Sequence, residues 1–464
     1  MKWKYMSQDT NNETEEKRFS KWHAAGACLG LCVLCLVWGG ISVQHGFFPG
    51  HLLRNAYEGA KAARASLHYW RMQFSDDLWS TNRFSRSGVT VHDPTRTFEG
   101  YTLYTSGHIQ GAILIDMEGK VVHQWKLPYE QVWDSSGEVK YPRPPHQIFW
   151  FKAKVFPNGE LMAVVEGNGG TPWGQGIIRM DRDSRLIWKY LGCAHHDFTI
   201  GDDGRIYGLT HKIRTEPFPG LNLDYPCLED YLVILSPDGK KLDEISMFEA
   251  FANSRFRNSL EKYGVKTPFG EYFHCNAARV VTANTARQFP FASPGQVMIS
   301  MPHFSSSLGL LDPATRRFVW CATGAWRVQH DPDFLDNGHM MLFDNCGNPD
   351  VGGISRVIEF DPLTGGVVWS YHGTAANPLI SEKRSGAQRL PNGNTLITES
   401  DSGRLLEVTT TGDVVWEFIN PVKGGKNGEL IPVISTGERI APESLDPSFR
   451  DFLASKKTQT KGAP

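Results

Sequence analysis

The chain has 464 residues, 40% hydrophobic and 12% aromatic, with a net charge of −2 and a pI near 6.8. That balance supports a large core and excludes a typical nucleic-acid binder, which carries a basic surplus. The high counts of Gly (46) and Trp (14) favour β structure, where Gly makes tight turns and Trp buries area on half-exposed strands.

Residues 1–23 form a polar tail. Residues 24–43, from Ala24 to Val43, run without a charge for the length needed to span a hydrocarbon core, with Trp22 and Trp38 toward the ends. The polar stretch before this run is long for a signal-peptide head, which favours a retained anchor over a cleaved one. Lys17, Arg18 and Lys21 crowd the N-terminal flank, whereas Arg54, Lys61 and Arg64 follow at a distance. The positive-inside rule then gives a single-pass protein of the inner membrane, with its bulk in the periplasm. Residues 50–75 read as a helical segment, since Leu53, Tyr57, Ala60, Leu67 and Trp70 share one face, interrupted by Arg64. The segment suits a stalk or a helix packed on the side of the following domain.

From residue 95 to 425 the pattern becomes short apolar runs separated by turn signals. One phrase recurs: Pro157-Asn158-Gly159, Asp202-Asp203-Gly204, Asp336-Asn337-Gly338 and Pro391-Asn392-Gly393 each lead into an apolar strand. Asn-Gly and Asp-Gly suit hairpin turns that need positive φ. Closing strands end near Trp125, Trp188, Ile245, Trp320, Trp369 and Trp416, which makes six units spaced 47 to 75 residues apart. Units of that length are four-stranded blades, and blades close into a ring to bury their faces. The expectation is an all-β, six-bladed β-propeller. A seventh blade would need strands from near Tyr101 or from residues 426–464, which read as a C-terminal tail. Five cysteines lie outside the apolar run, with no CxxC pair among them and no zinc-site spacing.

Histidines recur at one phase of the repeat. His195-His196-Asp197, Phe273-His274-Cys275-Asn276 and Gln329-His330-Asp331 each sit just before or within the first strands of a different unit. A ring would turn all three toward its axis. Strand alternation puts His274 and Asn276 on one face and Cys275 on the other, in the core. His211, His339 and His372, taken singly, read as loop or capping residues.

These phrases, with Phe343-Asp344-Asn345, Ser355-Arg356-Val357, Leu390-Pro391-Asn392-Gly393-Asn394-Thr395, Leu406-Glu407-Val408 and Val415-Trp416-Glu417, resemble the bacterial arylsulfotransferase family. The likeness runs over about residues 95 to 425. It implies a six-bladed propeller that moves a sulfuryl group from an aryl sulfate donor to a phenolic acceptor, without a nucleotide cofactor, through a sulfohistidine. It implies that His330 is the nucleophile, and that His274, Asn276 and one of His195 and His196 hold the sulfuryl oxygens or donate a proton to the leaving phenolate. Asp331 would orient a ring or cap its turn. One departure stands out. The family carries an arginine shortly after the His-x-Asn strand, and here the stretch reads Ser300-Met301-Pro302-His303. Arg384, beside Ser385, or Arg327, three residues before His330, would have to supply the charge, with His303 at the edge of the site. The alternatives are a metal-binding propeller with His195, His196, His274, His303 and His330 as a cage, and a non-enzymatic propeller that binds a ligand at its mouth.

Overall fold

The computed structural model describes residues 9–50, 52–53, 56, 77–169, 173–219, 221, 223–259, 270–349 and 354–459. The chain divides into two units, residues 1–71 and 72–464. In the first, one helix spans Asp9–His45. It has no proline, and it stops where Gly46, at φ 72, returns its N–H to the Ser42 carbonyl at 2.9 Å, a left-handed helix end that glycine favours. Its Lys21–His45 stretch is long and apolar enough to cross a membrane, about 37 Å at 1.5 Å per residue. Most of the helical segment expected over residues 50–75 lies outside the described residues.

The second unit is a six-bladed β-propeller. Blade 2 runs Ile148–Val155, Leu161–Gly167, Gly174–Met180 and Leu186–Tyr190; blade 3 runs Ala194–Ile200, Ile206–Arg214, Cys227–Leu235 and Lys241–Ser246. Blade 4 is Ala277–Val280, Val297–Met301, Ser307–Asp312 and Arg317–Ala322; blade 5 is His330–Phe334, Met340–Asp344, Arg356–Phe360 and Val367–Tyr371. All neighbours within a blade are antiparallel. The ring is closed by both ends of this unit. Ile434–Ile440 supplies the innermost strand of blade 1, beside Tyr101–Ser106, Gly111–Ile115 and Val121–Lys126. Gly88–His92 extends the outer edge of blade 6, which is Gly386–Arg389, Thr395–Glu399, Arg404–Val408 and Val414–Ile419. Residues 426–464 are therefore more than a tail: they complete a blade and add a helix, Pro447–Gln459. The strands near Tyr101 and in this stretch make one blade together, so the ring stays at six.

The closing tryptophans explain their own recurrence. Trp125 Nε1 donates to the Gly159 carbonyl at 3.0 Å, Trp369 Nε1 to the Thr410 carbonyl at 2.9 Å, and Trp416 Nε1 to the Met117 carbonyl at 2.8 Å. In each case an outer-strand indole reaches a turn of the next blade, so one side chain provides apolar area and a hydrogen bond between blades. Trp125 and Trp416 are fully buried. Gly159 adopts φ 86, as its Asn-Gly turn requires, and a Cβ there would meet the Phe449 ring of the C-terminal helix at 2.4 Å. Cys275 is buried in the core between blades 3 and 4, and all eight cysteines are unpaired.

Candidate active site

The innermost strands of all six blades line a central cavity of about 340 Å³. At its histidine-bearing end these strands are irregular. In blade 3 the pairing jumps from His195↔Leu209 to Phe198↔Gly208, leaving His196 and Asp197 on a bulge. In blade 5 it jumps from His330↔Phe343 to Asp333↔Met341. His196, His274 and Asp331 adopt φ 55, 51 and 52. Positive φ costs a non-glycine residue about 1–3 kcal/mol and gathers at functional sites. Here it re-aims His196 and His274, which regular strands would point to the blade faces.

The rings meet as a cluster. His196 lies 5.1 Å from His274, centroid to centroid, and 5.1 Å from His195. His303 stacks on His274 at 4.5 Å, and His211 stacks on His195 at 4.3 Å. Trp173 covers the group, 4.4 Å from His211 and 5.5 Å from His274. His330, His196 and Asn276 line the cavity, whereas His195 is fully buried behind His196. Asn276 ties blade 4 to blade 5, its Nδ2 donating to the Gln329 carbonyl at 2.8 Å.

His330 is held in one tautomer. Asn345 spends its amide nitrogen on the carbonyls of Ser381 (2.8 Å) and Arg384 (3.1 Å). Its oxygen therefore faces His330 Nδ1 at 2.8 Å, and the Val328 carbonyl lies 3.3 Å from the same nitrogen. Two acceptors at Nδ1 place the ring proton there and leave the Nε2 lone pair for the cavity. Burial, aided by the charges of His274 and Arg384, pushes His330 down to about 4. Burial acts the same way on His274, but the Glu271 carboxylate, 2.7 Å from Nδ1, outweighs it and the pKa is raised. His303 is pushed down to about 3 by burial and by His274 and His330, so it brings no charge in place of the missing arginine.

Arg384 does bring one. It is buried at φ 56, its guanidinium 5.6 Å above the Phe149 ring and 3.6 Å from Asp77. Ser385 lines the cavity, but its hydroxyl is committed, donating to Ser381 Oγ at 2.8 Å and accepting from the Ser400 N–H at 3.0 Å. Arg327 does not join the site. It is exposed, where Arg384 is buried, because Val328, at φ 56, turns the chain between it and His330; His274, His303 and Arg384 stand behind the lining residues rather than among them. Asp331 neither orients a histidine nor caps a turn. It bonds the Arg279 guanidinium and the Ala387 N–H, stitching blade 5 to blades 4 and 6. Asp197 does the same for blade 3, 2.5 Å from both Lys152 and Arg279.

Glu166, Trp173, Glu271, Arg279 and Asn345 complete the site without having been singled out, and His211, expected in a loop or cap, joins it from the strand Ile206–Arg214. Asn345 stands in the Phe343-Asp344-Asn345 phrase, the one available signal. Three His–carboxylate groups bring ligand atoms within 4.8 Å of one another: Glu166–His195–His196, His195–His211–Asp230 and Glu271–His274–His303. Two of the three are joined by hydrogen bonds among their own members, whereas in His195–His211–Asp230 the His195 Nε2 and His211 Nδ1 atoms are buried without a hydrogen-bond partner among the described residues. His195 and His196 share a proton between Nδ1 atoms 2.8 Å apart, His211 Nε2 accepts from the Gly174 N–H at 3.2 Å, and His274 Nδ1 bonds Glu271.

Comparison with known proteins gives a consistent picture. No curated protein matches. Solved structures that match include a Bacteroides caccae protein of unknown function, at 13% identity over 73% of this chain and 98% of that one, with a TM-score of 0.45. A streptogramin B lyase matches at 12% identity over 77% and 96%, with a TM-score of 0.38. A catalytically inactive virginiamycin B lyase from Staphylococcus aureus, with quinupristin, matches at 11% over 75% and 87%, with a TM-score of 0.37. At these scores the structural likenesses carry no further argument. The family model described as arylsulfotransferase (ASST) matches residues 152–421, from the inner strand of blade 2 to the end of blade 6. With that match over more than half of its length, the chain belongs to the arylsulfotransferase family.

Proposed function

We propose that the chain transfers a sulfuryl group from an aryl sulfate to a phenol through a sulfohistidine at His330. The observation that carries this reading is the pairing of a buried His330, its proton pinned on Nδ1 by Asn345, with a His274 whose pKa the Glu271 carboxylate raises. Neighbouring groups with pKa values pushed apart divide into nucleophile and acid. In the first transfer His330 Nε2 attacks sulfur, the aryl O–S bond breaks, and His274 protonates the departing oxygen. In the second, the acceptor's O–H bond breaks and its oxygen bonds sulfur, the S–N bond breaks with the electron pair returning to Nε2, and the released proton replaces the one His274 gave up. Chemistry of this kind is mostly positioning and electrostatics. In this reading Asn276, from the cavity lining, His274 and Arg384 hold the sulfuryl oxygens, with Arg384 in the role of the cation absent after Met301. No dissociable cofactor takes part.

Residues 24–43 serve in this reading as a single-pass inner-membrane anchor, with the propeller in the periplasm. Its support is the apolar Lys21–His45 stretch and the Lys17, Arg18 and Lys21 flank. The enzymatic reading is tested with an aryl sulfate donor and a phenol acceptor. Wild type should give ping-pong kinetics and His330→Ala none. Phenol release that survives the substitution removes His330 from the role, and no release with any donor supports a ligand-binding propeller instead.

A further inference from the structure

Behind His196 lies a line of buried groups that the two transfers above leave unused. His196 Nδ1 is 2.8 Å from His195 Nδ1. His195 Nε2 is buried without a hydrogen-bond partner among the described residues, with Asp230 Oδ1 in electrostatic contact 3.5 Å away, and the other Asp230 oxygen accepts from the Cys275 N–H at 3.1 Å. His195, Asp230 and His196 are 0%, 3% and 7% exposed. A buried carboxylate requires donors, so His195 keeps its ring proton on Nε2, toward Asp230. Its Nδ1 is then a lone pair, and the proton between the two rings belongs to His196 Nδ1. Glu166 Oε1, 3.5 Å from the same His196 nitrogen, is a second acceptor that favours a proton there. His196 is left with an unprotonated Nε2, and it lines the cavity.

We infer that Asp230 and His195 are positioning residues that fix the tautomer of His196 and so make it the base for the phenolic acceptor. The inference rests on the sulfuryl-transfer reading. In the second transfer the acceptor O–H bond breaks, and its proton goes to His196 Nε2. The acceptor oxygen bonds sulfur, and the S–N bond to His330 breaks with its electron pair returning to Nε2. The proton then passes by way of solvent to His274, which gave one up in the first transfer. Burial, and then the charges of His195, His274, His330 and His211, hold His196 well below the ordinary imidazole range, so its Nε2 is unprotonated and free to take a proton; Glu166 of blade 2 faces it as well. Carboxylate-to-histidine orientation of this sort governs which nitrogen acts as base.

Asp230→Asn is the direct test. The Cys275 N–H holds the amide oxygen on its side, so the amide nitrogen faces His195 and reverses every proton in the line, leaving His196 Nε2 protonated. Rapid-quench measurement on the full chain should show the second transfer falling about 10²-fold or more relative to the first with a weakly acidic phenol acceptor. An acidic phenol, already ionised at the assay pH, should restore it. Equal losses in both transfers, or equal losses with both acceptors, overturn the inference. Independently of folding in the variant, nitrogen NMR of wild type should place the shared proton on His196 Nδ1, and a proton on His195 Nδ1 overturns it. A wild type that releases no phenol from any donor removes the underlying reading instead. Normal two-step kinetics that Asp230→Asn leaves unaltered removes only the relay.

Discussion

The side-chain oxygen of Asn345 sits 2.8 Å from His330 Nδ1, and the Asn345 amide nitrogen is pinned by two backbone carbonyls. The pair comes from neighbouring strands of blade 5 and fixes which nitrogen of the proposed nucleophile meets substrate. Asn345→Ala should lower the first transfer about 10²-fold or more, in line with the loss of an oriented catalytic base or nucleophile. Asn345→Asp should raise the His330 pKa, since a carboxylate favours the imidazolium. The acid limb of the pH–rate profile then moves to higher pH, a shift that a merely structural role for Asn345 does not produce.

Glu271 sets the other half of the pair. With Glu271→Gln the His274 pKa falls, because burial is no longer outweighed by the carboxylate. The alkaline limb of the first transfer should move to lower pH. Donors with weakly acidic leaving phenols should lose about 10²-fold, and donors with strongly acidic ones little, since those leave without a proton. Steady-state profiles with both donor classes check this.

Arg384→Gln should lower the first transfer about 10²–10³-fold, the scale of losing one charged group facing a developing anion. The His330 acid limb should also rise, because the Arg384 charge helps hold that pKa down. Arg327→Gln should leave both quantities within about twofold of wild type, as expected for an exposed side chain outside the cavity.

The cluster is also a liability in acid. His330 at about 4 and His303 at about 3 are neutral in the fold where an unfolded histidine, near 6.5, is charged. Between about pH 6.5 and 4 the unfolded chain binds protons that the folded chain refuses, so stability rises with pH there and falls as the medium is acidified. His303→Gln should flatten that slope, as read from melting temperature across this window.

Much of the ring could be read from the sequence because its signals are local. An Asn-Gly or Asp-Gly turn announces four of the blades and a closing tryptophan five, and all six closing strands end where expected. The closure was not local. Ile434–Ile440 reads Ile-Ser-Thr-Gly-Glu-Arg-Ile, without an apolar run, and it pairs with Tyr101–Ser106 from the far end of the domain. Gly437 is there because a Cβ would meet Leu405 at 2.6 Å, a constraint that appears only once blades 1 and 6 are side by side.

The site divides in the same way. The shared phase of His196, His274 and His330 was legible, and the structure gathers them. Arg327 misled because nearness in sequence is not nearness in space, and one positive-φ valine separates it from His330. His211 looked like a lone loop histidine, yet its strand carries it under His195. Which of the His195–His196 pair faces the cavity depended on a bulge that adjacent histidines do not announce.

The central claim is that His330 carries the sulfuryl group between the two transfers. Mixing the full chain with an aryl sulfate in the absence of acceptor, quenching in base and mapping peptides by mass spectrometry tests it most directly. A sulfuryl adduct is expected on the His330 peptide, formed with the phenol burst, discharged by added phenol and missing from His330→Ala. An adduct on another residue, or an undiminished burst in His330→Ala, would contradict it.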